Sequence, residues 1–270
     1  MQANISLGQF LPGDSAIHRL DPRTKILLMI AYIVLVFVVK SLPVFLLPAM
    51  LLVLMFLFAK VPASYLVSSV KPLRLLLVFM FLINLFFTPG ETVLWQWRFI
   101  VITKEALRQA FYFTIRLVLL VSGTSMLTLT TSPISLTDGL ERLLTPLKAL
   151  RFPAHELAMM MTIALRFIPT LVEETERIQK AQMARGADFE SGNLIQRAKS
   201  MIPILVPLFV SAFRRADELA MAMESRCYHG GEGRTRMRVL KLGLRDAVAA
   251  IVMAVFLAAA LLVEKRVFLA

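Results

Sequence analysis

The sequence is short of charged residues and has almost no cysteine. Only 18% of its 270 residues are charged, 58% are hydrophobic, and Cys227 is the single cysteine. A soluble domain usually carries about 25% charged residues, so this composition excludes an ordinary soluble protein. One cysteine also excludes a disulfide framework and a metal site with several thiolate ligands. We therefore expect the chain to lie in a membrane.

Patterns that support catalysis are missing as well. The sequence has no glycine-rich phosphate loop, no Ser-His-Asp order and no paired carboxylates inside an apolar run. Of the three histidines, only His229 lies close to Cys227 in the sequence, which is too little for a metal site. We expect a chain that is not an enzyme, binds no cofactor or metal, and cannot itself hydrolyse ATP with a phosphate loop.

Five apolar runs indicate an all-α polytopic membrane protein. A bilayer core needs roughly 20 helical residues, so the first and third runs span it only if flanking residues join the helix. The predicted spans lie at residues 26–39, 44–59, 75–87, 106–130 and 247–263.

Basic residues near the ends of the spans predict the orientation. Two basic groups, before the first span and between the second and third, favour the cytoplasm, whereas a third group in the next outer loop opposes this. Residues 131–245 are too polar to cross and carry 17 basic and 12 acidic residues, which decides for a cytoplasmic N-terminus. The three groups are Arg19, Arg23 and Lys25; Lys60, Lys71 and Arg74; and Arg98, Lys104 and Arg108.

Residues 131–245 are predicted to form two long amphipathic helices, joined by a polar turn at residues 188–193. Apolar positions recur there at steps of three, four or seven, as on one face of a helix. We expect the two helices to pack on each other along the cytoplasmic face of the membrane. The two apolar stripes are Leu157, Met161, Ala164, Ile168, Leu171 and Ile178, and Leu194, Ala198, Met201, Leu205, Phe209, Ala212, Ala216, Leu219 and Met223.

Three prolines should bend these helices, because proline removes a backbone donor. Pro169 lies in the first, and Pro203 and Pro207 lie in the second. The bends either fit the helices under the membrane bundle or make them a flexible platform. The expected domains are residues 1–130 with the first four spans, residues 131–245 with the two long helices, and residues 246–270 with the last span.

Each long helix is predicted to end at an arginine between small residues, with glycine shortly afterwards. Glycine accepts the left-handed conformation that stops a helix. A single such arginine is explained by the helix dipole. Two of them suggest that two helix ends, which we call the tips, bind in two similar recesses on partner proteins, which we call sockets. The two triplets are Ala184, Arg185 and Gly186, and Ser225, Arg226 and Cys227.

Five strings, in this order and spacing, resemble the transmembrane T component of energy-coupling factor (ECF) transporters. The resemblance covers almost the whole chain. The strings are Asp-Pro-Arg-Thr-Lys at 21–25, Thr-Thr-Ser-Pro at 130–133, Leu-Glu-Arg-Leu-Leu-Thr-Pro-Leu at 140–147, Leu-Arg-Phe-Ile-Pro at 165–169 and Ala-Arg-Gly-Ala-Asp at 184–188.

The resemblance implies an L-shaped helical scaffold in a prokaryotic cell membrane. Such a scaffold joins two ATP-binding-cassette (ABC) ATPase subunits, which use the ATP, to an S component that captures a vitamin or metal ion. It also implies that the triplets around Arg185 and Arg226 dock into grooves on the ATPases. The second triplet departs from the commoner Ala-Arg-Gly form, although serine and cysteine are still small.

Other charged residues receive structural explanations. Arg116 inside the fourth span would cost roughly 2.5–3.5 kcal/mol in hydrocarbon, so we expect it to contact protein groups, with Asn84 a candidate, or to reach the membrane surface. A basic run before the last span is expected to anchor the chain at anionic lipid, and its lack of interleaved aromatic residues speaks against nucleic acid. The run contains Arg226, Arg234, Arg236, Arg238, Lys241 and Arg245.

Two other classes stay open at this point. A self-contained secondary transporter should show inverted repeats and broken helices, and no convincing repeat is found. A polytopic membrane enzyme should carry a catalytic set at an interface. The one acidic cluster, Glu173, Glu174 and Glu176, is predicted instead to form a solvated helix face that pairs with Arg177 and Lys180.

Overall fold

The computed structural model describes residues 10–97, 100–146, 152–189, 193–230 and 240–269. These residues cluster into two compact units. We call the unit formed by residues 10–143 and 240–269 the membrane unit, and the unit formed within residues 144–230 the helix-pair unit.

Helices account for most of the described chain, so the all-α prediction is confirmed. Short 3-10 segments at Leu42–Phe45 and Lys71–Leu73 lead into the second and fourth helices. In chain order the helices are α1 (Pro22–Val38), α2 (Leu46–Ala59), α3 (Ala63–Val70), α4 (Arg74–Phe87), α5 (Lys104–Thr130), α6 (Pro133–Leu144), α7 (Ala154–Ala184), α8 (Leu194–Ser200), α9 (Ile202–Ser225) and α10 (Leu244–Leu269).

Within the described residues, five helical stretches are long and apolar enough to cross a membrane, which agrees with the predicted number. Four of them contain predicted spans: Leu42–Ala59, Ala63–Phe87, Lys104–Thr130 and Leu244–Arg266. The stretch Ala63–Phe87 shows flanking residues joining a short apolar run, as expected.

The fifth candidate differs from the prediction. It is α7, whose length and composition qualify, whereas α1 has 17 residues and is not among the five. At 1.5 Å per residue α1 is about 25 Å long, slightly short of the roughly 30 Å hydrocarbon core.

A small antiparallel hairpin between α4 and α5 was not predicted from the sequence. Its strands are β1 (Val93–Trp97) and β2 (Ile100–Thr103), with an irregular register between Val93 and Trp95. The available signal was the enrichment in β-branched and aromatic residues on both sides of residues 98–99, which lie outside the described residues.

The core of the membrane unit includes the antiparallel contact of α1 with α5, together with buried residues of α2 and α10. The buried Tyr32 hydroxyl donates a hydrogen bond to the Leu119 carbonyl at 3.2 Å. At one end of this contact, Lys25 Nζ donates to the carbonyl of Thr130, the last residue of α5, at 2.8 Å. Each helix end leaves carbonyls without an intrahelical partner, so this cation satisfies one of them and complements the helix dipole.

Arg116 satisfies a helix-end carbonyl at the other end of the contact between α1 and α5. Its guanidinium donates to the carbonyl of Val39, which caps the C-terminus of α1, at 2.8 Å, and lies over the rings of Phe37 and Tyr112. The expectation that Arg116 contacts protein groups is confirmed. The suggested partner was wrong, because the Asn84 amide donates to the Met80 carbonyl of its own helix.

The string at residues 21–25 joins three helices. The Asp21 side chain accepts a hydrogen bond from the Arg23 backbone and caps α1, while the Asp21 N–H donates to Asp246 in the first turn of α10. On α6, a Cβ at Gly139 would lie 2.9 Å from Cβ of Pro22, so this helix also approaches closely. The string therefore holds the starts of α1 and α10 together.

Gly123 allows α5 to approach Tyr32, and this contact can be tested. A Cβ at this position would lie 2.2 Å from Cε1 of Tyr32 in the buried core. Gly123→Ala should destabilise the protein by about 1–3 kcal/mol through overpacking and lower the melting temperature of the full-length chain in detergent. Thr124→Ala, at an exposed neighbouring position, should not. A melting temperature unaffected by Gly123→Ala in the wild-type background would contradict the packing, whereas in a Tyr32→Leu background, which removes the ring, the same substitution should have a smaller effect.

Candidate docking site

The helix-pair unit is built on antiparallel packing of α7 against α9. Three contacts fix the direction, one near each end and one in the middle. They are Gln182 Nε2 donating to the Pro203 carbonyl at 3.4 Å, Arg215 Nη2 beside Glu174 Oε2 at 3.6 Å, and the Tyr228 hydroxyl donating to Met159 Sδ at 3.0 Å. The prediction that two long helices pack on each other is confirmed.

This packing places Arg185 and Arg226 at opposite ends of the helix pair. In the register of the three contacts, Arg226 lies level with Met161, near the start of α7. Arg185 follows 24 residues later along the chain. At 1.5 Å per residue the two arginines are therefore about 35 Å apart along the helix axis.

The first helix end has the geometry that the sequence predicted. Arg185 is the C-cap of α7, and Gly186 follows with a φ of +87°. The Gly186 N–H donates to the Met183 carbonyl at 2.9 Å, and the Ala187 N–H donates to the Gln182 carbonyl at 3.0 Å. This pair of bonds defines a Schellman motif, in which the backbone itself satisfies the last carbonyls of the helix.

The second helix end repeats the pattern with a different residue. Arg226 is the C-cap of α9, and Cys227 follows with a φ of +57°. The Cys227 N–H donates to the Glu224 carbonyl at 2.9 Å, and the Tyr228 N–H donates to the Met223 carbonyl at 3.0 Å. The expectation that glycine stops this helix was wrong, because the left-handed residue is Cys227.

Both arginines are exposed at these ends, as are the small residues beside them. Among the described residues no hydrogen bond or ion pair holds either guanidinium. A Cβ at Gly186 would meet nothing within 4 Å. Each helix end thus presents a free cation with five N–H donors next to accessible backbone. The exposed small residues are Ala184, Gly186, Ser225 and Cys227.

The three predicted bend positions fall in different places. Pro169 and Pro207 lie inside α7 and α9, whereas Pro203 lies at the start of α9. Proline at 203 has no N–H to donate to the carbonyl of Lys199, and the predicted second helix is accordingly divided at Met201 into α8 and α9.

The predicted apolar stripes identify the packed faces only in part. Leu219 and Met223 are half-buried, as expected, but Met201, Leu205 and Phe209 are exposed. The first half of α9 is apolar on nearly every side, so its periodicity does not select one face. The contacts select the neighbouring row instead, where Ile204 is buried.

This arrangement leaves a broad apolar surface on the first half of α9, with Phe209 61% and Phe213 69% exposed. Contiguous exposed apolar surface of this kind marks an interaction site. The surface consists of Met201, Ile202, Leu205, Val206, Phe209, Val210 and Phe213.

The role of Glu174 was not predicted from the sequence. The charge pattern indicated a solvated face, whereas the carboxylate of Glu174 lies beside Arg215 of α9. A signal was available, since Glu174 stands four residues before Ile178 and eight before Gln182, in one row of α7. Glu173 and Glu176 are exposed.

The left-handed conformation of Cys227 can be tested by substitution. Glycine adopts the left-handed conformation without steric cost, whereas a β-branched residue there is a pronounced outlier, so Cys227→Gly should keep the helix end intact and Cys227→Val should open it. We expect amide exchange at Tyr228 to rise about tenfold in Cys227→Val, measured by hydrogen exchange and mass spectrometry. Ala222→Val, inside the helix, is the control. Equal exchange in the glycine and valine variants would contradict this geometry.

Comparison with known proteins identifies close relatives. The family model described as "Cobalt transport protein" (CbiQ) matches residues 13–237. The chain is 55% identical over 252 residues to a protein of Clostridium kluyveri, covering 93% of each, and 56% identical over 253 residues to one of Acidaminococcus fermentans, covering 94% of each. A relative in Lactococcus lactis is 46% identical over 257 residues.

All three relatives carry the name energy-coupling factor transporter transmembrane protein EcfT. Such proteins are membrane components of transporters, which agrees with the five candidate spans of this chain. Similarity over nearly the whole length shows that the chain belongs to the family of transmembrane proteins of energy-coupling factor transporters.

Proposed function

We propose that the chain is the scaffold and energy-coupling subunit of an ECF-type ABC importer. It joins two ABC-type ATPase subunits to an S component that binds a vitamin or metal ion. The observation that carries this proposal is the pair of matching helix ends, each with an exposed arginine, at opposite ends of one helix pair. Two matching tips about 35 Å apart suit two similar sockets on two subunits better than one socket.

The chemistry of docking follows from the geometry of each end. Because the Schellman turn already satisfies the helix carbonyls, the guanidinium is free to bind a carboxylate or several carbonyls of a partner, with two parallel hydrogen bonds. The small residues beside Arg185 and Arg226 let the backbone of the partner come close. Lysine would not replace these arginines fully, since an ammonium lacks the planar fork.

Transmission of motion follows from the packing of α7 on α9. The partner ATPases would bind and hydrolyse ATP, and their closure would move the two sockets and the two tips with them. The packed helices act as rigid levers, and Pro169 and Pro207 set where these levers flex. The exposed apolar surface on α9 would contact the S component and tilt it.

The proposal also covers the catalytic inactivity of the chain and its location in the membrane. The chain has no catalytic activity and binds no cofactor, and ATP is used by its partners alone. It lies in the plasma membrane of a bacterium with its N-terminus in the cytoplasm, because Arg19, Arg23 and Lys25 lie before or in the first turn of α1 and the polar residues 131–245 carry more basic than acidic residues. The S component, and not this chain, selects the substrate.

Charge reversal at each tip tests the proposal. Arg185→Glu and Arg226→Glu should each weaken association with the ATPase pair at least thirtyfold, since losing one partner of a desolvated charge contact costs about 2–5 kcal/mol. Co-purification from membranes and ATP-driven uptake in proteoliposomes measure the loss. Arg185→Lys should lie between wild type and Arg185→Glu.

Arg177→Glu is the matched control, because this exposed arginine lies within α7 away from both tips. It should assemble and transport like the wild type. Unchanged assembly and uptake in both tip variants would remove the main support of the proposed docking.

A further inference from the structure

The membrane unit contains an apolar cavity between α1, α2, α5 and α10 that is open on one side. Its volume is about 460 Å³, and all but three of its lining side chains are apolar or glycine. Each of the four helices contributes lining residues, for example Met29 of α1, Leu51 of α2, Met126 of α5 and Met253 of α10. An apolar space of this kind holds no ordered water, because water there would lack hydrogen-bond partners.

The three polar lining residues, Lys25, Thr130 and Arg245, lie at one end of the cavity. Thr130 is the last residue of α5, and its carbonyl accepts a hydrogen bond from Lys25 at 2.8 Å. Arg245 lies in the first turn of α10, which is tied to the start of α1 through Asp246 and the Asp21 N–H. All three therefore stand where helices begin or end, near a membrane surface.

The balance of charge at this end is positive. Lys25 and Arg245 both face the cavity. The nearby Asp246 carboxylate keeps its negative charge, which the two cations outweigh, and both of its oxygens already accept backbone hydrogen bonds, Oδ1 from the Asp21 N–H and Oδ2 from the Gly243 N–H. Among the described residues, Lys25 Nζ uses two of its three donors, on the carbonyls of His18 and Thr130. One donor of Lys25 and the guanidinium of the exposed Arg245 are available to an anion.

The depth and the side opening of the cavity match one layer of lipid. From Arg245 to Met253 on α10 the cavity extends about 12 Å, close to half of the roughly 30 Å hydrocarbon core. Phe58 and Val248 in its wall are 63% and 60% exposed, so it opens sideways between α2 and α10. A hydrocarbon chain can enter from the bilayer without crossing a polar barrier.

We infer that the cavity binds one anionic phospholipid, with an acyl chain between the four helices and the phosphate at Lys25 and Arg245. The charge complementarity selects an anionic headgroup over a zwitterionic one, and basic pockets between membrane helices recognise such headgroups. The bound lipid would fill the space between α2 and α10 and hold these helices apart at a fixed distance. This inference concerns the membrane unit alone and does not depend on the proposed docking.

Native mass spectrometry of the full-length chain in detergent, titrated with phosphatidylglycerol or phosphatidylcholine of the same acyl chains, tests the site. We expect one phosphatidylglycerol to bind at least fivefold more tightly than phosphatidylcholine. Arg245→Gln should remove about fivefold of this preference, the contribution of one basic residue at an anionic surface. Ala249→Phe, which fills the half-buried wall of α10, should weaken binding of both lipids.

Two controls match these variants on the same helix. Arg266→Gln removes an exposed cation at the other end of α10, and Ala250→Phe adds the same ring at an exposed position outside the lining. Both should bind lipid like the wild type. Equal affinity for the two lipids in the wild type, or equal binding by the two phenylalanine variants, would overturn the inference. So would an Ala249→Phe chain that keeps its lipid but loses a partner subunit, because a partner helix would then occupy the cavity.

Discussion

The antiparallel contact between α7 and α9 is the constraint on which the proposed function depends. Both helices end in the same turn with an arginine as C-cap. Had they packed in parallel, the arginines would lie side by side and form one cationic patch for one partner. Antiparallel packing instead places the two arginines about 35 Å apart along the helix axis. The contacts of Glu174 with Arg215 and of Met159 with Tyr228 therefore set the separation of the two proposed docking ends.

Helix C-termini are handled in two different ways in this chain. In the membrane unit, Lys25 and Arg116 each donate a hydrogen bond to a carbonyl at the end of a neighbouring helix, so these cations stabilise the fold. In the helix-pair unit, the backbone N–H groups of the Schellman turns donate to the carbonyls. The guanidinium groups of Arg185 and Arg226 are therefore not needed to cap the helices. The cations at all these places complement a helix dipole, yet only the second arrangement leaves a cation for a partner.

The sequence predicts what is encoded locally. Long apolar runs predict the membrane helices, and the small residues and glycine around Arg185 predict the end of α7, because both signals depend on neighbours in the chain. The partner of Arg116 was missed, since it is the carbonyl of Val39, and a backbone acceptor brought close by packing leaves no mark in the sequence. Asn84 was chosen because its side chain is polar, but it bonds within its own helix.

The packed face of α9 and the conformation of Cys227 were also not predicted, because both depend on contacts formed only in the folded chain. The packed face of α9 was missed because its first half is apolar all round, and only the contact with α7 decides that Ile204 is covered and Phe209 is not. Cys227 was not predicted to be left-handed, because cysteine pays a steric cost there that the two Schellman bonds of the turn offset. The triplets were found from the sequence, whereas their separation depends on tertiary packing.

The most direct test of the account is the distance between the two tips. Cys227 is the single cysteine and stands at one tip, so Asp188→Cys, just beyond the other, gives a chain with two sites for spin labels. Double electron–electron resonance on the full-length protein in lipid should show a distance of about 40 Å, from 28 residues at 1.5 Å each. A distance below about 25 Å would mean that the helices do not hold the arginines apart and would contradict the account.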